Sequence, residues 1–127
     1  MSLKLKFNEV KKSENELVQC LCEYITPHKK GICYIEEPFV YNKGREKLIE
    51  SLYRTRFKFL KVIDNSTCVV EIPSGCKDLT SAIFILKLEN DNLYVAGYAE
   101  EGIIKQNIYD KALNKIKAVF DNDKINF

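Results

Sequence analysis

The strongest constraint on the fold is a change in hydrophobic period, from helical in the first part of the chain to strand-like between residues 57 and 99. In the later stretch, apolar residues alternate with polar ones, and β-branched and aromatic residues are frequent. The segment Asn90-Asp91-Asn92 is a turn signal, because Asn and Asp tolerate the positive φ angles of tight turns. It predicts a hairpin of residues 82–89 and 93–99. Short turns between the four strands of this region predict an antiparallel sheet.

Three amphipathic helices are predicted around these strands. The first follows Ser13, which forms a capping-box pattern with Glu16, and it ends before Pro27. The second covers residues 45–55 and the third begins after Asn107. Apolar residues recur at helical spacing in all three. In the second helix this stripe consists of Leu48, Ile49, Leu52 and Tyr53.

Two further strands are predicted before the second helix, near residues 3–7 and 31–36. The element order is then β-α-β-α-β-β-β-β-α, and the fold class is α+β. We expect a mainly antiparallel sheet with the three helices packed on one face. No linker or repeat divides the chain, so residues 1–120 are interpreted as a single domain and residues 121–127 as a frayed tail.

The sequence favours a cytoplasmic protein, with the nucleus as an alternative. No apolar run approaches the ~20 residues that span a bilayer, and the lysines of residues 1–7 are untypical of a signal peptide. The five cysteines are odd in number and irregularly spaced, unlike a secreted disulfide framework. We therefore expect the cysteines to be mostly reduced and no membrane association.

No motif predicts catalysis, a cofactor or a metal site. The glycine-rich phosphate loops, zinc-protease motif and serine-hydrolase elbow are absent. His28 is the only histidine, interpreted as an exposed or capping residue. With Cys20, Cys22 and Cys33 it could supply zinc ligands, but Cys20 and Cys22 point about 200° apart on a helix. Nothing predicts catalytic residues, and an enzyme that uses a thiol or a carboxylate remains a third class.

A basic segment is the clearest functional lead. Residues 1–61 carry 13 Lys/Arg against 8 Asp/Glu, whereas residues 62–127 carry 7 against 10. Tyr and Phe are interleaved with the basic residues, a combination that suits phosphates and stacked bases. The alternative is an ordinary solvated helix face, diluted by Glu46 and Glu50. The candidate nucleic-acid-binding residues are Lys43, Arg45, Lys47, Arg54, Arg56 and Lys58, with Lys61 just beyond.

Tyr94 and Tyr98 are candidates for a partner surface. They are four residues apart on a predicted strand and so lie on the same face. If the helices cover the opposite face, the two rings are exposed to a partner. If both faces are covered, they belong to the core, and the sequence leaves this choice open.

Two short resemblances add no site residue. Residues Ala82 to Phe120 resemble the hairpin and helix of TATA-binding-protein repeats. Residues Leu93 to Tyr98 are similar to a strand of plant ribosome-inactivating proteins. No other motif of either family is present, so no residue role follows from them.

The function favoured by the sequence is that of a small non-enzymatic binding domain. It would act through a protein partner or through self-association, with no cofactor. The alternative is a nucleic-acid-binding module that uses the basic and aromatic residues of segment 43–61.

Overall fold

A computed structural model describes residues 3–6, 15–24, 31–74, 81–100 and 107–125 of the chain. Within them are seven strands and three helices. The strands are β1 (Leu3–Lys6), β2 (Gly31–Ile35), β3 (Phe39–Val40), β4 (Lys58–Val62), β5 (Thr67–Pro73), β6 (Ser81–Glu89) and β7 (Asn92–Glu100). The helices are α1 (Glu16–Cys22), α2 (Arg45–Tyr53) and α3 (Ile108–Ile125). None of these helices is long and apolar enough to cross a membrane.

All strands belong to one antiparallel sheet, in the order β1-β2-β7-β6-β5-β4. The predicted α+β class and element order are confirmed. The two-residue strand β3 was not predicted. It pairs with the start of β7, whereas β2 pairs with the rest of β7. Strands β2 and β3 therefore follow the same side of β7 and are separated by residues 36–38, which contain Pro38.

The predicted hairpin of β6 and β7 is present, and it lies at the centre of the sheet. Glu89 pairs with Asn92, so the loop consists of Asn90 and Asp91, with φ angles of 52° and 62°. Two successive positive φ angles are those of a type I′ turn, whose twist matches that of the paired strands. Asn and Asp are the non-glycine residues that most readily adopt this conformation.

The helices cover both faces of the sheet, which corrects the expectation that all three share one. Helices α2 and α3 pack on the face that carries Val70, Phe84 and Val95. Helix α1 packs on the opposite face through Val18 and Leu21, both fully buried. Consecutive residues of a strand lie on opposite faces of the sheet, because side chains alternate along a strand. The two-sided cover explains why β5, β6 and β7 are apolar on both faces.

An aromatic stack fixes α3 on the sheet. The ring of Tyr109 lies between those of Tyr34 and Phe84, with centroid distances of 3.9 and 5.1 Å. Its hydroxyl donates a hydrogen bond to Oε2 of Glu36. Phe84 lies over Gly97, where a Cβ atom would come within 2.5 Å of the ring. The glycine thus lets the ring lie close to the backbone of β7.

Two helix ends differ from the prediction. The N-cap of α1 is Asn15 rather than Ser13, since the Asn15 side chain accepts hydrogen bonds from the backbone N–H groups of Leu17 and Val18. Ser13 itself lies outside the described residues. Helix α3 begins directly after Asn107, as predicted, and continues to Ile125, five residues into the segment interpreted as a tail.

Candidate interaction surface

The six basic residues predicted to bind nucleic acid form two groups. Lys43 and Lys47 are half-buried and Arg45 is exposed, all around the start of α2. Arg54, Arg56 and Lys58 follow the end of α2 and are exposed. The nine residues of α2 span about 13 Å at 1.5 Å per residue. Three of the six residues therefore lie at the start of α2 and three lie beyond its end.

Acidic neighbours reduce the charge of the second group. Glu50 forms an ion pair with Arg54, as the four-residue spacing predicted, and both side chains are more than half exposed. Such a pair is screened by solvent and contributes little stability. Lys58 lies directly opposite Glu71 in the pairing of β4 with β5.

Tyr53 is exposed beside these basic residues, which corrects its assignment to the buried stripe of α2. Leu48, Ser51 and Leu52 are the buried residues of this helix, whereas Tyr53 is 64% exposed. Its ring stacks on Phe59 of β4, with centroids 4.5 Å apart. Tyr53 therefore presents one aromatic face to solvent at the junction of α2 and β4.

Strand β4 is the last strand of the sheet on this side. Phe59 and Val62 pair with Val70 and Cys68 of β5, so they lie on the α2 face. Lys58 and Lys61 pair with Glu71 and Val69, on the α1 face. Val62 is 50% exposed, and both lysines are exposed. We call Tyr53, Lys58, Phe59, Lys61 and Val62 the edge patch.

Some backbone N–H and C=O groups of β4 also point away from β5. The N–H of Ile63 donates to the carbonyl of Thr67 at 2.8 Å, so Ile63 directs its polar groups towards β5. Directions alternate along an antiparallel strand, and Val62 therefore directs its N–H and C=O away from β5. A bulge between Phe59 and Lys61 breaks this alternation farther along the strand.

Of the two candidate tyrosines, Tyr98 belongs to the core. It is 7% exposed and lies in the cluster that α1 covers. A Cβ atom at Gly31 would come within 1.8 Å of its hydroxyl oxygen, so the ring lies directly over that glycine. Since both faces of the sheet are covered, the core alternative holds for Tyr98. Tyr94 shares this face and is half-buried.

Tyr94 lines an open cleft between the start of α1 and the hairpin, with a volume of about 280 Å³. The other lining residues are Asn15, Glu16, Leu17, Lys87 and Glu89. The Lys87 ammonium lies 3.3 Å from Oε2 of Glu89, and this hydrogen bond raises the pKa of Lys87. The Lys87 amine in the cleft therefore already has a hydrogen-bond partner in the Glu89 carboxylate.

Burial makes three of the described cysteines poor nucleophiles. Burial raises the pKa of Cys33 and of Cys68 to about 12, so both remain thiols at neutral pH. Burial also raises the pKa of Cys22. Cys20 and Cys22 are half-buried and both contact the cluster beneath α1. Cys20, Cys22, Cys33 and Cys68 are all free thiols.

The part of the chain that the structure describes contains no cluster of metal-ligating side chains. No three His, Cys, Asp or Glu side chains converge there. His28 lies outside that part, so the zinc set of His28 with Cys20, Cys22 and Cys33 has no described geometry.

Sequence reasoning missed Val62 and the exposure of Tyr53. A signal for the edge patch was present, because two lysines within a predicted strand are typical of an exposed sheet edge. The strand order that makes β4 terminal is a tertiary property. Comparison of the chain with protein-family models, with curated proteins and with solved structures found no significant match.

Proposed function

We propose that this chain is a non-enzymatic binding domain that acts through a protein partner, and that the partner docks on the edge patch. The observation that carries the proposal is the exposure of Tyr53 and Val62, at 64% and 50%. Tyr53 stacks on Phe59, and Val62 lies on the same face of β4 as Phe59, at the end of the described sheet. Exposed tyrosine with adjacent basic residues is typical of protein interfaces, where aromatic residues and arginine supply much of the binding energy.

The rigidity of this surface also supports a docking role. Tyr53 is held by its stack on Phe59, and Phe59 packs against the main core. A ring that is already held in place loses little conformational entropy on binding. The buried thiols of Cys33 and Cys68 give no support to catalysis by those cysteines.

A cytoplasmic location, with the nucleus as the alternative, is part of this proposal. An odd number of cysteines supports a reducing compartment. The free state of the four described thiols is compatible with one.

Mutation at the edge patch tests the proposal. The full chain, tagged at one end, is used for affinity capture from the cells that produce it, with nuclease treatment and quantitative mass spectrometry. We expect Tyr53→Ser and Val62→Ser to lose a protein that the wild type retains. Val40→Ser is the matched control, because Val40 is as exposed as Tyr53 but lies on β3. A protein profile that is identical for all four chains would contradict the proposal.

Self-association is the second form of the same proposal and has its own measurement. Sedimentation velocity of the purified chain across a concentration series would show a dimer that Tyr53→Ser weakens and Val40→Ser does not. A monomer at all concentrations would leave only a different protein as the partner.

Nucleic-acid binding is the alternative, favoured by Arg54, Arg56 and Lys58 beside the exposed Tyr53 ring. It requires affinity for single-stranded RNA or DNA that falls steeply as salt rises. Fluorescence anisotropy with labelled oligonucleotides at 50 and 200 mM salt measures this. Charge removal at Arg56 and Lys58 should weaken such binding more than removal at Arg45. Absence of binding at 50 mM salt would exclude the alternative.

A further inference from the structure

The open side of β4 offers a backbone to which another strand can pair. Among the described strands, β4 pairs only with β5, and Val62 directs its N–H and C=O to the other side. An extended peptide can add to such an edge through main-chain hydrogen bonds, while its alternate side chains determine specificity. The chemistry of the two faces of β4 therefore predicts which peptide fits.

The exposed side chains of β4 differ between its two faces. On the α2 face, Tyr53, Phe59 and Val62 form an apolar surface. On the α1 face, Lys58 and Lys61 are exposed. Residues of an added strand also alternate between faces, so one set of its side chains would contact the apolar surface and the other set would contact the lysines.

Charge decides against a second copy of this chain as the added strand. Pairing of β4 with β4 would place Lys58 and Lys61 of both copies along one face. Like charges opposite each other destabilise a strand pair. Edge strands also commonly carry lysines and a β-bulge, which protect them against pairing with a second copy of the same strand. An added strand with acidic residues at these positions would attract Lys58 and Lys61 instead of repelling them.

Resting on the proposed function, we propose that the β4 edge binds an extended segment of a protein partner in which acidic residues alternate with apolar ones. The acidic residues lie beside Lys58 and Lys61, and the apolar residues lie beside Tyr53, Phe59 and Val62. The segment extends the sheet by one strand, next to β4.

Synthetic peptides test the charge pattern directly. The probe is acetyl-Glu-Val-Glu-Ile-Glu-Val-Glu-amide, and the comparison peptide has Lys at every Glu position. We expect the full wild-type chain to bind the Glu peptide at least about fivefold more tightly, since two exposed charge pairs change from repulsive to attractive. In Lys58→Glu/Lys61→Glu the preference should reverse. Arg45→Glu/Lys111→Glu changes the net charge equally at other exposed sites and should retain the wild-type preference.

The site of binding is read from amide chemical shifts and amide hydrogen exchange. The Glu peptide should shift and protect the amide of Val62 and its neighbours in β4. A Glu peptide with N-methyl groups on alternate amides keeps its charge but loses edge hydrogen bonds, and it should bind at least about tenfold more weakly. Equal binding of the methylated peptide, or shifts confined to other elements, would overturn the proposal.

The remaining outcomes separate this inference from the proposed function. A protein that is captured through Tyr53 while the Glu peptide leaves β4 unaffected would overturn only the strand-addition inference. Tyr53-dependent binding of single-stranded RNA or DNA with no peptide binding would overturn both in favour of nucleic acid. A dimer that protects the β4 amides would identify a second copy as the occupant, against this proposal.

Discussion

At the scale of single residues, two glycines are required for different physical reasons. Gly97 lies beneath the ring of Phe84, so an added Cβ would collide with a stiff aromatic side chain. Gly44 has nothing within 4 Å of its Cβ position, but it caps α2 with a φ of 88°, which other residues rarely adopt. The first constraint is one of space and the second is one of backbone conformation.

We expect Gly97→Ala to lower the free energy of unfolding by about 1–3 kcal/mol through overpacking. Phe84→Leu removes the part of the ring that collides, so the double variant should be more stable than the sum of the two single effects predicts. Urea denaturation measures all three. Gly44→Ala, which should cost about 1–2 kcal/mol through its φ angle, is the control. Phe84→Leu should not reduce the cost of Gly44→Ala. If the effects of Gly97→Ala and Phe84→Leu simply add in the double variant, the steric explanation is contradicted.

The buried thiols predict a dependence of stability on pH. The pKa of Cys33 and of Cys68 rises from 9.0 to about 12 on folding. The folded state therefore keeps these protons when the unfolded state releases them. Their contribution to stability is fully present below pH 9 and is lost as pH rises from 9 to 12. Urea unfolding across this range should show a smaller decline in Cys68→Ala.

Alkylation at pH 8 gives an independent measurement of the same burial. In the folded chain, iodoacetamide should leave Cys33 and Cys68 unmodified while the half-buried Cys20 and Cys22 react slowly, as followed by mass spectrometry. All should react in urea. Rapid modification of Cys33 in the folded state would indicate a reactive thiol and reopen the possibility of thiol catalysis.

At the scale of elements, the beginning of α1 shows how a local pattern can predict the helix but misplace its cap. Both Ser13 and Asn15 are good capping residues, and Ser13 with Glu16 matches the capping-box pattern. In the fold, the Asn15 side chain accepts bonds of 2.9 and 3.2 Å from the second and third amides that follow it. With Asn15 as the cap, Val18 of α1 lies in the core. Burial of Val18 therefore decides which residue begins the helix.

We therefore expect Asn15→Ala to destabilise the chain by about 1 kcal/mol, the usual cost of losing an N-cap. Ser13→Ala should have a smaller effect. Thermal and urea unfolding of the two variants compares them, with helix content followed by circular dichroism. A larger loss from Ser13→Ala would show that the capping box acts as the sequence suggested.

At the scale of the whole molecule, the main finding is that the sheet is covered on both faces. Val69, Ile85 and Ala96 pair with one another across three strands and are fully buried beneath α1. Their neighbours Val70 and Phe84 face the other two helices. An apolar sheet with one bare face would expose these side chains to water at a cost of about 25 cal/mol per Å².

The two-sided architecture predicts that both helical layers contribute strongly to stability. Leu21→Ala in α1 and Ile116→Ala in α3 should each lower the free energy of unfolding by about 2–5 kcal/mol, because both residues are fully buried. Lys111→Ala, on the exposed side of α3, should change it by less than about 0.5 kcal/mol. A loss at Leu21 as small as that at Lys111 would show that α1 does not cover the sheet.

Most of the helices and strands follow from the local sequence. Local periodicity, turn chemistry and spacing predicted three helices, the antiparallel hairpin with a turn within Asn90-Asp91-Asn92, and the Glu50–Arg54 pair, because these depend on residues close along the chain. Long-range packing places α1 on the opposite face, buries Tyr98, exposes Tyr53 and makes β4 the last of the described strands. Each of these depends on which distant segments pack together, and an amphipathic helix or strand has the same local pattern on either face.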